Sequence, residues 1–204
     1  MPRVHTKTKA TYGRVYNCSR CGEPITPGQR FYMWTKGRRH GITYRQHTEH
    51  GYPRPTQLSN RKTAVIEETV QDTNLGSWDP EPTNTGDGWT WETDTSEISD
   101  QLQAVADVAR DVASEYEDGV SNMPESLQYA PTGEAMTDVA QRLNDWADEL
   151  EGWEPQTDPD FPEREEDETD EEYEERAAQL CNDWVEEVRD SAQSLLEEMP
   201  EYEG

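Results

Sequence analysis

Apolar residues in the second half of the chain recur at steps of three and four. Ile98, Leu102, Val105, Ala109, Val112 and Tyr116 make one stripe on a 3.6-residue helix. Asp94 and Glu97 stand in capping-box positions ahead of it and Gly119 stands past its end, so the pattern predicts a helix beginning at Thr95. Met123, Pro124 and Pro131 mark a turn. A second stripe of Met136, Val139, Leu143, Trp146, Leu150 and Trp153 predicts a helix from Thr132 to Gly152, stopped by Pro155. Thr169 and Glu172 form a further capping box. Behind them Tyr173, Ala177, Leu180, Trp184, Val188, Leu195 and Met199 predict a third helix running to about Met199, with Cys181 beside Leu180 in its apolar stripe. Three stripes of this kind close on one another as a small antiparallel bundle.

The first half carries shorter periods. Val15 and Tyr16 read as a short strand, Phe31, Tyr32 and Trp34 as an aromatic strand, and Ile42 to Tyr44 as a second β-prone piece. Gly37 and Gly41 break the chain between the last two, which puts Arg38 and Arg39 at a hairpin tip. Tyr52-Pro53-Arg54-Pro55 ends this module, because prolines keep a helix from continuing into it. Ser59 as N-cap with Ala64, Val65, Ile66 and Val70 then predicts a helix from Ser59 to Gln71. Residues 72–94 are rich in Asp, Pro, Thr and Gly and read as a linker that nevertheless holds Trp78, Trp89 and Trp91. Those tryptophans either dock onto the helical domain or anchor a partner.

The expected organisation is a basic arm (1–17), a zinc-finger domain with trailing helix (18–71), a Trp-bearing linker (72–94) and an acidic helical domain (95–204) with a mobile acidic linker near 154–168. The fold class is α+β: a small zinc-finger head plus a mainly α, three-helix acidic domain.

Composition sharpens this division. Leu, Ile, Val and Phe together number only 26 of the 204 residues and the net charge is −27, so only periodic placement of the apolar residues produces a core. The charge is split. Residues 1–62 hold 13 Lys and Arg against 2 Glu, whereas residues 63–204 hold 5 Arg against 43 acidic residues. One part suits phosphates; the other suits basic partners or repels nucleic acid. No apolar run approaches a membrane span, the N-terminus lacks the apolar core of a signal peptide, and three cysteines make no disulfide framework, so a cytoplasmic location is expected.

The candidate chemistry lies between Cys18 and His50. Cys18-Ser19-Arg20-Cys21-Gly22 and His47-Thr48-Glu49-His50-Gly51 are two ligand pairs of knuckle spacing, and a second such pair completes a tetrahedral zinc site. His40 competes with His50 for the fourth position, and the rival reading of the Cys pair is a redox dithiol, which would want a βαβ pattern that is absent. A region this small would draw much of its folding free energy from the metal.

The order Cys-x-x-Cys, then Glu23-Pro24-Ile25 with Gly28 and Arg30-Phe31, then an aromatic piece followed by His-x-x-His, resembles the small PARP-type, treble-clef-like fingers. Those fingers use Cys, Cys, His and Cys. The resemblance implies Cys18, Cys21 and His47 as ligands and puts His50 where the family has its last Cys. In overall style the chain is also similar to small zinc-finger proteins of tailed phages.

Enzymatic signatures are missing: no phosphate-cradling Gly loop, no His-Glu-x-x-His, no carboxylate pair that stands apart from the other acids, and no small-molecule substrate in view. The expected function is a non-catalytic module with structural zinc. Its nucleic-acid contacts would come from Arg20, Arg30, Lys36, Arg38, Arg39 and Arg45, and a basic protein would be held through residues 95–204. Rival readings are an acidic DNA mimic that blocks a host nucleic-acid-binding protein, a virion structural or assembly component, and a chain whose basic and acidic parts bind each other.

Overall fold

The computed structural model describes residues 3–7, 15–36, 41–59, 61–86, 88–157 and 159–200. The chain divides into two compact units, residues 1–68 and 69–204, each with its own core.

The first unit is built on a three-stranded antiparallel sheet in the order β1-β4-β5, where β1 is His5–Lys7, β4 is Phe31–Lys36 and β5 is Ile42–His47. Thr6 lies opposite Tyr32, Trp34 opposite Tyr44 and Phe31 opposite His47. Two short strands, β2 (Tyr16–Asn17) and β3 (Pro24–Ile25), pair separately. Because strand side chains alternate, β4 supplies two cores. Phe31 and Met33 face Cys18, Ile25 and Tyr16. On the opposite face Trp34, 1 % exposed, stacks on Tyr44 and donates its indole N–H to the Gln57 carbonyl at 3.0 Å.

Two sequence expectations shift here. His5–Lys7, placed in a basic arm, is the edge strand β1; an edge strand needs no apolar alternation, so His-Thr-Lys carried no strand signal. The helix expected from Ser59 begins instead at Ala64: α1 (Pro55–Leu58) opens with Pro55 at its first position, Ser59 is already extended and its hydroxyl accepts from the Arg61 N–H, and α2 (Ala64–Asp72) follows. The hairpin tip at Gly37–His40 lies outside the described residues.

The second unit contains a 3-10 turn at Leu75–Ser77, a hairpin of β6 (Thr83–Asn84) and β7 (Trp89–Thr90), and helices α3 (Ser96–Ser121), α4 (Glu125–Gln128), α5 (Pro131–Glu151) and α6 (Asp170–Glu197). α3 and α5 run antiparallel, and buried Ala106, Ala109, Ala113, Ala140 and Ala147 let the two backbones approach closely. α6 is tied to α5 by larger groups: the Trp146 indole donates to the Leu195 carbonyl at 2.8 Å and the Trp153 indole to the Ser191 hydroxyl at 2.8 Å. The Thr169–Glu172 capping box forms as its spacing requires.

Gly119 sits inside α3 rather than past its end. An added Cβ there would meet the Met136 methyl at 2.7 Å, so the glycine marks a close approach to α5, while Asn122 closes the helix through its side-chain bond to the Asp118 carbonyl. The buried stripe of α6 is Tyr173, Ala177, Cys181, Trp184, Val185, Val188, Ala192 and Leu196. Leu180 and Leu195 flank it half-buried, because small Ala192 continues the three-and-four spacing that a search for large residues breaks.

The stretches read as linkers are packed against the helices. Trp78 and Trp91 are 6 % and 5 % exposed; Trp78 meets the Trp184 ring edge-on and donates to the Asp94 carbonyl at 2.8 Å. Arg189 of α6 donates to the Trp78 carbonyl and pairs with Asp79 at 3.0 Å. The described residues of 154–168 are likewise attached. Pro162 accepts from the Tyr173 hydroxyl at 2.8 Å, Thr157 accepts from the Trp184 indole at 3.0 Å, and Phe161 packs on Trp91. Among the described residues no helix is long and apolar enough to cross a membrane.

Candidate metal centre

Two tight turns bring the ligands together. In the first, Gly22 takes φ +79°, its N–H donates to the Cys18 carbonyl at 2.9 Å, and the Cys18 N–H donates to the Glu23 carbonyl at 2.8 Å. Only a residue without Cβ adopts that φ without strain. In the second, Thr48–His50 is a single 3-10 turn closed by Gly51, φ +78°, whose N–H donates to the Thr48 carbonyl at 3.1 Å. β5 joins the two: the Ser19 N–H donates to the Arg45 carbonyl at 2.7 Å, the Ser19 hydroxyl accepts from the Arg45 N–H at 3.1 Å, and Arg20 reaches the His50 carbonyl at 2.8 Å.

One ligand atom from each of Cys18, Cys21, His47 and His50 lies within 4.8 Å of every other. Cys21 Sγ and His47 Nδ1 are 3.7 Å apart, close to the ~3.5 Å edge between a sulfur and a nitrogen ligand of tetrahedral zinc. The Nε2 atom of His50 is buried without a hydrogen-bond partner, as a nitrogen shaped for a metal would be, whereas His47 turns its Nδ1 to the cluster and leaves its own Nε2 buried and unpartnered on the far side of the ring. Burial acts against a Cys18 thiolate. Hydrogen bonds from the backbone N–H groups of Cys21, His47 and Arg20 outweigh it and hold this thiol below its ordinary range. The donor set, its spacing and these bonds fit a metal ion held by Cys18, Cys21, His47 and His50. His40, the competitor for the fourth position, lies outside the described residues.

The cations expected to touch nucleic acid divide by their surroundings. Arg30 is exposed. Arg20 is engaged with the His50 carbonyl, and Lys36 donates to the Thr56 carbonyl at 2.8 Å. Arg45 lies over the Tyr16 ring, 4.1 Å from its centroid, on the same side of the sheet as the metal-facing cluster. Arg38 and Arg39 fall outside the described residues. Of the three tryptophans considered as partner anchors, Trp78 and Trp91 are core residues of the helical unit and only Trp89 keeps partial exposure.

Two features escaped sequence reasoning. Buried Gln46 donates to the Gly51 carbonyl at 3.0 Å and accepts from the Gln57 side chain at 3.2 Å, which links the second knuckle to α1. Tyr52, just past that knuckle, is 61 % exposed and meets Tyr32 edge-on at 5.5 Å. A polar residue in a strand pattern gives no sign of burial, and a lone tyrosine gives none of its neighbour. Set against protein-family models, characterised proteins and solved structures, the chain matches none of them.

Proposed function

We propose that the chain is a non-catalytic, zinc-ordered nucleic-acid-binding module whose acidic helical unit engages a basic protein. The observation that carries this reading is the Cys18-Cys21-His47-His50 cluster inside the basic part of the chain. Four protein ligands leave zinc no open position, so the ion would order the two knuckles and present cations instead of activating water. The ligand order that resembles PARP-type fingers, with His50 in place of the last Cys, belongs to the same reading, as does the phage-type style. Net positive charge over residues 1–62 supplies attraction to phosphates and a steep salt dependence.

The helical unit supports the second half of the proposal. Its arginines, Arg110, Arg142, Arg164, Arg176 and Arg189, all stand in ion pairs with its own carboxylates. Its outer surface is therefore almost purely negative. A groove between α5 and α6 is edged by Glu149, Glu154, Asp183, Glu186, Glu187 and Asp190. The same observation favours the DNA-mimic reading as the alternative, in which these carboxylates stand in for phosphates.

The test is metal analysis of the purified chain together with binding of labelled oligonucleotides across a salt series near ~0.15 M. One zinc per chain, its loss in Cys18→Ala with the helical unit still folded, and binding that weakens steeply with salt are the expected results. Binding of a basic protein by a chain that ignores nucleic acid at every salt concentration would transfer the assignment to the mimic.

A further inference from the structure

We infer that the head grips single-stranded nucleic acid by stacking a base on Tyr52, an inference that rests on the nucleic-acid reading and narrows it to one class of ligand. Tyr52 is 61 % exposed, the one aromatic ring among the large exposed hydrophobic side chains of the described residues of this unit. It is not a loose side chain. The Gly51 carbonyl before it is held by buried Gln46, Pro53 after it is buried, and its ring meets half-buried Tyr32 at a centroid distance of 5.5 Å and an interplanar angle of 70°. The contact with Tyr32 holds the ring while most of it stays open to solvent.

Cations lie close to this ring and to Tyr32 along the sequence. Arg30, exposed, stands two residues before Tyr32. Arg54 stands two residues after Tyr52, its guanidinium positioned by Glu68 at 2.8 Å with 43 % of the side chain still exposed. Arg20 is anchored on the carbonyl of His50, two residues before Tyr52. An exposed aromatic ring flanked by cations matches how sequence-tolerant single-strand binders work: cations follow the phosphates and a ring takes the base. Duplex DNA keeps its bases stacked inside and offers this ring nothing to stack on. The metal enters because His50 ends the knuckle from which Tyr52 emerges, so the ion sets where the ring stands.

The test uses the full zinc-loaded chain. Fluorescence anisotropy compares a labelled oligothymidylate of about 20 nucleotides with a duplex of the same length at low salt, for the parent, Tyr52→Ala and Tyr52→Phe. The single strand should bind more tightly than the duplex. Tyr52→Ala should weaken single-strand binding roughly tenfold, with zinc content and salt slope retained, and Tyr52→Phe should keep it. Equal binding of single strand and duplex, with Tyr52→Ala silent on both, overturns the stacking assignment and leaves the nucleic-acid reading standing. No binding of either probe by the parent overturns both.

Discussion

Glu68 illustrates how much a single side chain does in the small head. Its carboxylate accepts from the Thr56 hydroxyl and from Arg54, and these bonds, outweighing burial, hold its pKa below the ordinary carboxylate value. A group with a depressed folded pKa adds stability above its unfolded pKa of about 4.3 and loses it as pH falls through the folded value. Glu68→Gln should therefore cost the head about 1 kcal/mol at neutral pH, and the difference from the parent should fade in melts below about pH 4. The three thiols should separate equally clearly. Cys21 is exposed and Cys18 belongs to the same cluster, whereas burial, and then the Asp79 charge, push the Cys181 thiol up while its sulfur lies against the Pro80 carbonyl. Once a chelator has stripped any metal from the cluster and the head has lost its fold, a thiol reagent should modify exposed Cys21 and then buried Cys18 well before Cys181, which should react only when the helical unit unfolds, as read by mass spectrometry of the peptides.

At the scale of elements, the helices were legible where a stripe of large apolar residues ran for several turns, as in α3, α5 and α6, although Gly119 put the end of α3 too early. They were not legible where the element was too short to show a period, as in α1, or where its role needed no apolar residue, as in β1. The candidate metal cluster was visible because Cys18-x-x-Cys21 and His47-x-x-His50 are local spacings, whereas the bonds between Ser19 and Arg45 that bring the pairs together are a long-range fact. Gly133 shows the same limit. A glycine in the first turns of a helix invites replacement by alanine, since helix propensity favours alanine by about 1 kcal/mol. In α5 the added Cβ would lie 2.2 Å from the Gln128 carbonyl oxygen and 2.6 Å from that of Leu127, both backbone atoms that cannot step aside cheaply. Gly133→Ala should therefore destabilise the helical unit by about 1–3 kcal/mol in thermal or urea melts, with the α4–α5 turn displaced.

Charge sets the character of the molecule as a whole. The helical unit commits its few arginines to internal pairs, and α6 exposes Glu171, Glu172, Glu174, Glu175, Glu186, Glu187, Asp190 and Glu197 along one helix, with Glu198 just past its end. Like charges at four-residue spacing repel, and salt screens repulsion between exposed groups more than attraction within partly buried pairs. Raising the salt from about 0.02 M to about 0.5 M should accordingly raise the melting temperature of the helical unit, followed by circular dichroism, while it weakens any hold of the head on phosphates.

The placement of tryptophan has a spectroscopic consequence. Six of the seven indoles belong to residues 69–204, and the head contains Trp34 alone, packed on Tyr44 under α1. Intrinsic emission of the intact protein is consequently a report on its helices, and a head that had lost its fold would dim or redden only a small fraction of the signal. A change of Trp34 to Phe separates the two contributions, since the difference spectrum between parent and variant is the emission of the head by itself.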